Sequence, residues 1–296
     1  MTKNKWLDAN AASPEDAKIS ILGVPFDGGT TQEAGAAEAP AKLREFGEVF
    51  MPCSTDNFYL IDDQPLVYDF GDVDMSGTWE ESFARVEEEA FNVIKKGNFN
   101  LFLGGDHSVT IPLHKAFKRA EEGKKIGIIH FDAHPDLCDC YEGNLWSHAN
   151  TEKRAIDDIV EPADLLFLGI RAAEPEEVSL MKKYPEMTVL TGMDVFDMGY
   201  EKCCEIIEQK FSEYDSIYFT LDIDVLDPAF APGTGTPCSG GITSRELIKL
   251  VRFMLEKLPI NNMDIVEVAP PLDVNDITSW AALRVIEEVF SIVDRR

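Results

Sequence analysis

The stretch Ile126-Gly127-Ile128-Ile129-His130-Phe131-Asp132-Ala133-His134-Pro135-Asp136 decides the fold. Its first six residues form a short, nearly continuous apolar run, the pattern of a strand buried on both faces. Asp132, His134 and Asp136 then follow at i, i+2 and i+4, and at strand spacing they project to one face. Two carboxylates and an imidazole beside an apolar run call for a cation, because burying them unpaired is costly. His130 shares the alternation but lies deeper, and reads as a core histidine.

Working outward, similar runs recur at Ile19–Val24, Leu66–Phe70, Leu101–Gly104, Leu165–Ile170, Thr188–Leu190, Ile217–Leu221 and Ile265–Val268. Amphipathic stretches lie between most of them: Glu80–Lys96, Ile111–Glu121, Ala149–Ile159, Glu174–Lys183, Glu201–Phe211 and Ser244–Glu256. Ile277–Val293 is a last helical segment. Strand–helix alternation implies parallel pairing through right-handed crossovers. The expected fold class is α/β: one three-layer αβα domain over residues 1–296, with a mainly parallel sheet of about eight strands. In such sheets ligands bind beyond the carboxyl ends of the strands.

Three further strand ends carry chargeable groups. Leu101–Leu103 runs into Gly104-Gly105-Asp106-His107-Ser108, and Ile217–Leu221 into Asp222-Ile223-Asp224. Glu267 sits inside the apolar run Ile265–Val268, where it needs a partner that a cationic ligand would supply. Asp227, before Pro228, reads as a turn former. Alone, Asp222-Ile223-Asp224-Val225 also looks like a haloacid-dehalogenase nucleophile motif. Too little chain follows it for that fold, and the first aspartate cluster would go unexplained. Pooled, His107, Asp132, His134, Asp136, Asp222 and Asp224 exceed the ligand count of one zinc site. They suit two divalent ions, with Mn²⁺ favoured by the oxygen-rich set and Ni²⁺, Co²⁺ and Zn²⁺ left open.

The chain has 296 residues, 45% hydrophobic and 27% charged, with 27 Lys+Arg against 54 Asp+Glu and a net charge of −27. This is a globular balance that disfavours nucleic acid and anionic membrane surfaces and permits a cationic ligand. Six scattered cysteines without a CxxC pair suggest a reducing, cytoplasmic setting.

With these motifs in hand, the sequence resembles the ureohydrolase family of arginases, agmatinases and their relatives. Gly104–Ser108, Asp132–Asp136 and Leu221–Gly241 carry the resemblance, with Thr243–Glu246, Glu267 and Gly23–Gly29 in support. The resemblance implies an arginase-like fold, a binuclear manganese centre and a trimer or hexamer. It implies that His107 and Asp136 hold one ion and His134 and Asp224 the other, with Asp132 and Asp222 bridging. A bridging hydroxide, oriented by Asp136, would attack a guanidinium carbon to release urea and an amine. His148 matches the family's proton shuttle, and its ring suits acid–base work near neutral pH. Glu267 matches the glutamate that holds the guanidinium.

Within the family the chain looks most like an agmatinase. Where arginases carry a carboxylate-reading Asn, this chain has Cys138, followed by Asp139 and Glu142. Those acids would repel a carboxylate, and Glu174 would serve a substrate amine. Thr31–Pro40 departs from the Pro-Gly-Ala-Arg pattern of relatives. The expected activity is agmatine to putrescine and urea. The alternatives are guanidinobutyrate, guanidine, arginine or formiminoglutamate as substrate, or a non-catalytic metal-binding role.

Overall fold

A computed structural model describes Trp6, residues 10–49 and 66–296, and the backbone of residues 53–54 and 59–60. Eight strands form one sheet: β1 (Ile19–Gly23), β2 (Val67–Asp72), β3 (Phe99–Leu103), β4 (Ile126–Phe131), β5 (Leu165–Ile170), β6 (Thr188–Thr191), β7 (Ser216–Asp222) and β8 (Ile260–Val266). Their order is β2-β1-β3-β8-β7-β4-β5-β6, and every pairing is parallel. Cys53–Ser54 and Tyr59–Leu60 form a separate antiparallel pair.

Helices cover both faces of the sheet. One apolar layer takes residues from α1 (Ala39–Gly47), α6 (Gly192–Met198), α7 (Tyr200–Phe211), α8 (Ser244–Lys257) and α9 (Ile277–Asp294). The other draws on α2 (Trp79–Ile94), α3 (Thr110–Ala120), α4 (Thr151–Asp158) and α5 (Pro175–Lys183). The architecture is the expected single three-layer α/β domain. Among the described residues no helix is long and apolar enough to cross a membrane.

The sequence reading stops short at β8. The apolar run begins at Ile265, yet the strand begins at Ile260, because Asn261, Asn262 and Asp264 interrupt the pattern without breaking the ladder. Asn262 and Asp264 are buried and find side-chain partners: Asn100 donates to Asn262 at 2.8 Å, and Thr110 and Tyr218 donate to Asp264. Glu267 accordingly stands just past the strand rather than inside it, with φ of 61°. Helices α1 and α6 are not in the expected set. The first starts within the anomalous Thr31–Pro40 segment, and the second has seven residues, too few to display a helical period.

Candidate metal centre and active site

The four site-bearing strands β3, β8, β7 and β4 are contiguous in the middle of the sheet. Their ends are level: Leu221 pairs with Phe131 on one side and Ile265 on the other, and Ile265 pairs with Leu103. The residues at or just beyond these pairs therefore converge.

Local structure presents each of them. A side chain on Gly105 would lie 1.7 Å from the Phe26 carbonyl oxygen, so only glycine fits that turn. Asp106 caps the single turn His107–Val109, accepting the Ser108 N–H at 2.9 Å. Strand β4 ends at Phe131, so Asp132, His134 and Asp136 lie on the bend beyond it and not on strand alternation. Their convergence comes from that bend, in which Asp136 takes a left-handed φ of 50°. Its carbonyl accepts the N–H groups of Glu152 and Lys153 at 3.0 Å each. Asp222 ends β7, and Asp224 sits in the turn Ile223–Val225, its N–H donating to Asp222 Oδ1 at 2.8 Å.

His107 Nδ1 faces three carboxylates, at 3.0 Å from Asp132, 3.1 Å from Asp136 and 3.3 Å from Asp222. His134 Nδ1 lies 3.1 Å from Asp224 and 3.3 Å from the other oxygen of Asp132. Asp132 thus stands between two clusters that could hold metal ions, one around His107 and Asp136, the other around His134 and Asp224. Burial and then the charges of Asp224 and Asp132 push Asp222 well above the usual carboxylate range. Burial opposes the ionised form of Asp132, but hydrogen bonds from His107, His130 and His134 hold it well below. Four carboxylates this close, in a buried setting, require cationic counter-charge, and the oxygen-rich donor set with two imidazoles fits a pair of divalent ions.

His130 also falls within reach of the first cluster. Its Nε2 lies 3.0 Å from the His134 carbonyl, so that nitrogen is a donor and has no lone pair to offer. Its Nδ1 is 3.0 Å from Glu152. Although burial works against the charged ring, bonds to Asp132 and Glu152 push it up to about 10. The ring is fully buried, as a core histidine, and it steadies Asp132.

His148 and Glu267 adjoin the cluster. Glu267 Oε1 accepts the His107 N–H at 2.9 Å and lies 3.2 Å from His148 Nδ1. His148 Nε2 is 2.9 Å from Thr31 Oγ1. Burial disfavours the charged His148 ring, but the Glu267 carboxylate outweighs it and raises the ring to about 9.

A cavity of about 500 Å³ opens over the cluster, within the range of small-molecule sites. Asp132, His134, Asp136 and Asp222 form part of its wall, with His148, Cys138, Tyr141, Glu174 and Glu177 beside them. Asp139 and Glu142, expected near the substrate, are not among the residues of that wall. Asp139 is exposed and pairs with Arg154 at 2.8 Å and Lys153 at 3.2 Å, and Glu142 is exposed on a tight turn. Local charge counting could not see that basic residues on α4 neutralise Asp139.

Further wall residues come from the Thr31–Pro40 loop and from the start of α5. Thr31 and Gln32 come from the anomalous loop, so its departure from pattern bears on the cavity itself. Glu177, pushed up by burial to about 7, accepts the Leu137 N–H and the Glu174 N–H, both at 2.7 Å. The available signal for it was Glu174-Pro175-Glu176-Glu177 as a helix start.

A parallel α/β sheet with two adjoining carboxylate–histidine clusters at its centre defines a metal-binding hydrolase site. Residues 17–291 match the arginase family. The chain belongs to that family and is an enzyme of the ureohydrolase group. It is 34% identical over 280 residues to an agmatinase of Bacillus anthracis, covering 93% of this chain and 91% of that protein. Its fold matches the agmatine ureohydrolase of Thermoplasma volcanium with a TM-score of 0.87 at 27% identity, over 100% of this chain and 96% of that one. The proclavaminate amidino hydrolase of Streptomyces clavuligerus matches equally, with a TM-score of 0.87 at 28% identity over 98% and 96% of the two chains.

Proposed function

We propose that the protein hydrolyses agmatine to putrescine and urea, with His107, Asp132, His134, Asp136, Asp222 and Asp224 holding two Mn²⁺ ions. One observation carries the substrate choice. Among the described residues lining the cavity, Arg171 is the only lysine or arginine. Its guanidinium donates to the carbonyls of Gly169, Asp224, Val225, Leu226 and Cys238. It therefore has no donor left for an α-carboxylate. Glu174 on the same wall suits the distal amine of agmatine.

Bound divalent ions would make water nucleophilic at neutral pH. The remaining work falls to the chain. Glu267, buried and bonded to His148 rather than itself on the cavity wall, would be the anionic partner for the guanidinium, and Asp136, on the wall, would orient the attacking water. His148, held by Glu267 and Thr31, hands its proton to the departing amine nitrogen as the C–N bond breaks. Water supplies the oxygen of urea, so a guanidinium and one water give urea and an ammonium.

We further propose that residues 1–296 act as a single catalytic unit, in a cytoplasmic homo-oligomer (trimer or hexamer) without nucleic-acid or membrane partners. The unpaired Cys138, Cys140, Cys203, Cys204 and Cys238 support a reducing compartment. The exposed Met193 and Phe196 of α6 support a contact surface. The test is urea release from agmatine, arginine, guanidinobutyrate, guanidine and formiminoglutamate, run separately with Mn²⁺, Ni²⁺ and Zn²⁺. Agmatine with Mn²⁺ should give the highest kcat/KM; faster hydrolysis of arginine would overturn the substrate assignment.

A further inference from the structure

His107 turns Nδ1 toward the carboxylates, and its other nitrogen is engaged behind them. Nε2 lies 2.8 Å from Thr220 Oγ1. Thr220 in turn donates to Asp264 Oδ1 at 2.6 Å. Asp264 Oδ2 accepts from the hydroxyls of Tyr218 and Thr110, each at 2.9 Å. Thr220 and Asp264 are register partners on β7 and β8, so the relay is built into the sheet. His107, Thr110, Tyr218, Thr220 and Asp264 are each at most 1% exposed, which leaves these bonds within the protein.

The direction of the relay follows from proton counting. A hydroxyl has one proton, and the Asp264 carboxylate takes the one on Thr220. Thr220 Oγ1 can then only accept from the imidazole, so Nε2 carries the N–H. A neutral ring has a single such proton, which leaves the lone pair on Nδ1. Nδ1 is the atom within 3.3 Å of Asp132, Asp136 and Asp222. We propose that Asp264, acting through Thr220, is a positioning residue that fixes His107 in the Nδ1-ligating tautomer and so sets the affinity of the first metal position.

This inference rests on the two-metal reading of the site and is independent of which guanidine the enzyme cleaves. The buried carboxylate gains no ion pair from the three hydroxyls around it, and its chain of bonds ends on a ligand. A partner behind a ligating histidine typically changes metal affinity 10–100-fold.

The experiment is Mn²⁺ titration of the metal-free full chain by calorimetry, with electron paramagnetic resonance to separate paired from isolated ions. Thr220→Val should weaken one of the two positions about 10–100-fold and replace the paired-ion signal by that of isolated Mn²⁺. Thr220→Ser should restore both, and Asp264→Asn should act as Thr220→Val does. Wild-type affinity at both positions in folded Thr220→Val overturns the proposal, as does equal weakening of both positions. Should these variants fail to fold, nitrogen NMR of the wild-type protein loaded with diamagnetic Zn²⁺ reads the tautomer directly. A proton on Nε2 of His107 is expected, and a proton on Nδ1 overturns the inference. Absence of urea release from every guanidine would sink the substrate reading and leave these metal results standing.

Discussion

His148 has both ring nitrogens engaged, one by Glu267 and one by Thr31. This fixes the ring where a proton donor is needed. Replacing His148 by Ala should lower kcat by about 10²–10⁴ while two metal ions per chain remain by elemental analysis. Metal loss would instead mark His148 as a structural or ligating group. Because Glu267 raises the ring to about 9, the donor form persists through neutral pH and disappears as the pH rises through that value. The kcat/KM profile should therefore fall on its alkaline side near pH 9 in the wild type, and that limb should vanish in the Ala variant. Asp132→Ala should empty at least one metal position, since Asp132 faces both clusters. The cluster residues were legible one by one, because chargeable groups beside apolar runs have few explanations. The basic partners of Asp139 on α4, by contrast, are residues that its own neighbourhood in the chain does not suggest.

Helix α1 is an element that hydrophobic patterning left out and an ion pair secures. Arg44 donates to Asp69 at 2.8 Å and 2.9 Å and also meets Asp72, tying α1 to the edge strand β2. The Trp6 indole donates at 3.0 Å to Asp69 Oδ2, the oxygen that takes the 2.8 Å bond from Arg44. Removing one partner of such a buried pair typically costs about 3–5 kcal/mol, so Asp69→Asn should lower the urea midpoint clearly. Burial opposes ionisation of Asp69, but Arg44 holds its carboxyl below the usual value. Its stabilising contribution is therefore complete above the unfolded value of about 3.9 and fades as the pH falls through the lower folded value. The gap between wild type and Asp69→Asn should shrink in acid melts; a gap that widens there would refute the assignment. The early start of β8 has the same lesson. Asn262 and Asp264 look like strand breakers until Asn100, Thr110 and Tyr218 are brought beside them.

For the whole molecule the charge of −27 divides into two populations. Runs such as Glu87-Glu88-Glu89 lie on helix surfaces, while Asp132, Asp136, Asp222 and Asp224 are buried together. Stripping metal should therefore lower the melting temperature, and excess Mn²⁺ should restore it. A ligand at 100 times its Kd contributes about 2.7 kcal/mol. An unchanged melt after chelation would argue against metal at the cluster. By itself the sequence determined the α/β class, the run of strand ends and the identity of the chargeable residues at them. Periodicity and charge burial are local constraints, readable within a few residues. Only the tertiary structure decided that β3, β8, β7 and β4 lie side by side, out of chain order, with their ends level. It alone decided that Asp264 backs His107, that Arg171 is occupied, and that Asp139 pairs with Arg154. These are pairings between residues distant in the chain, set by strand order and helix packing rather than by any neighbour in sequence.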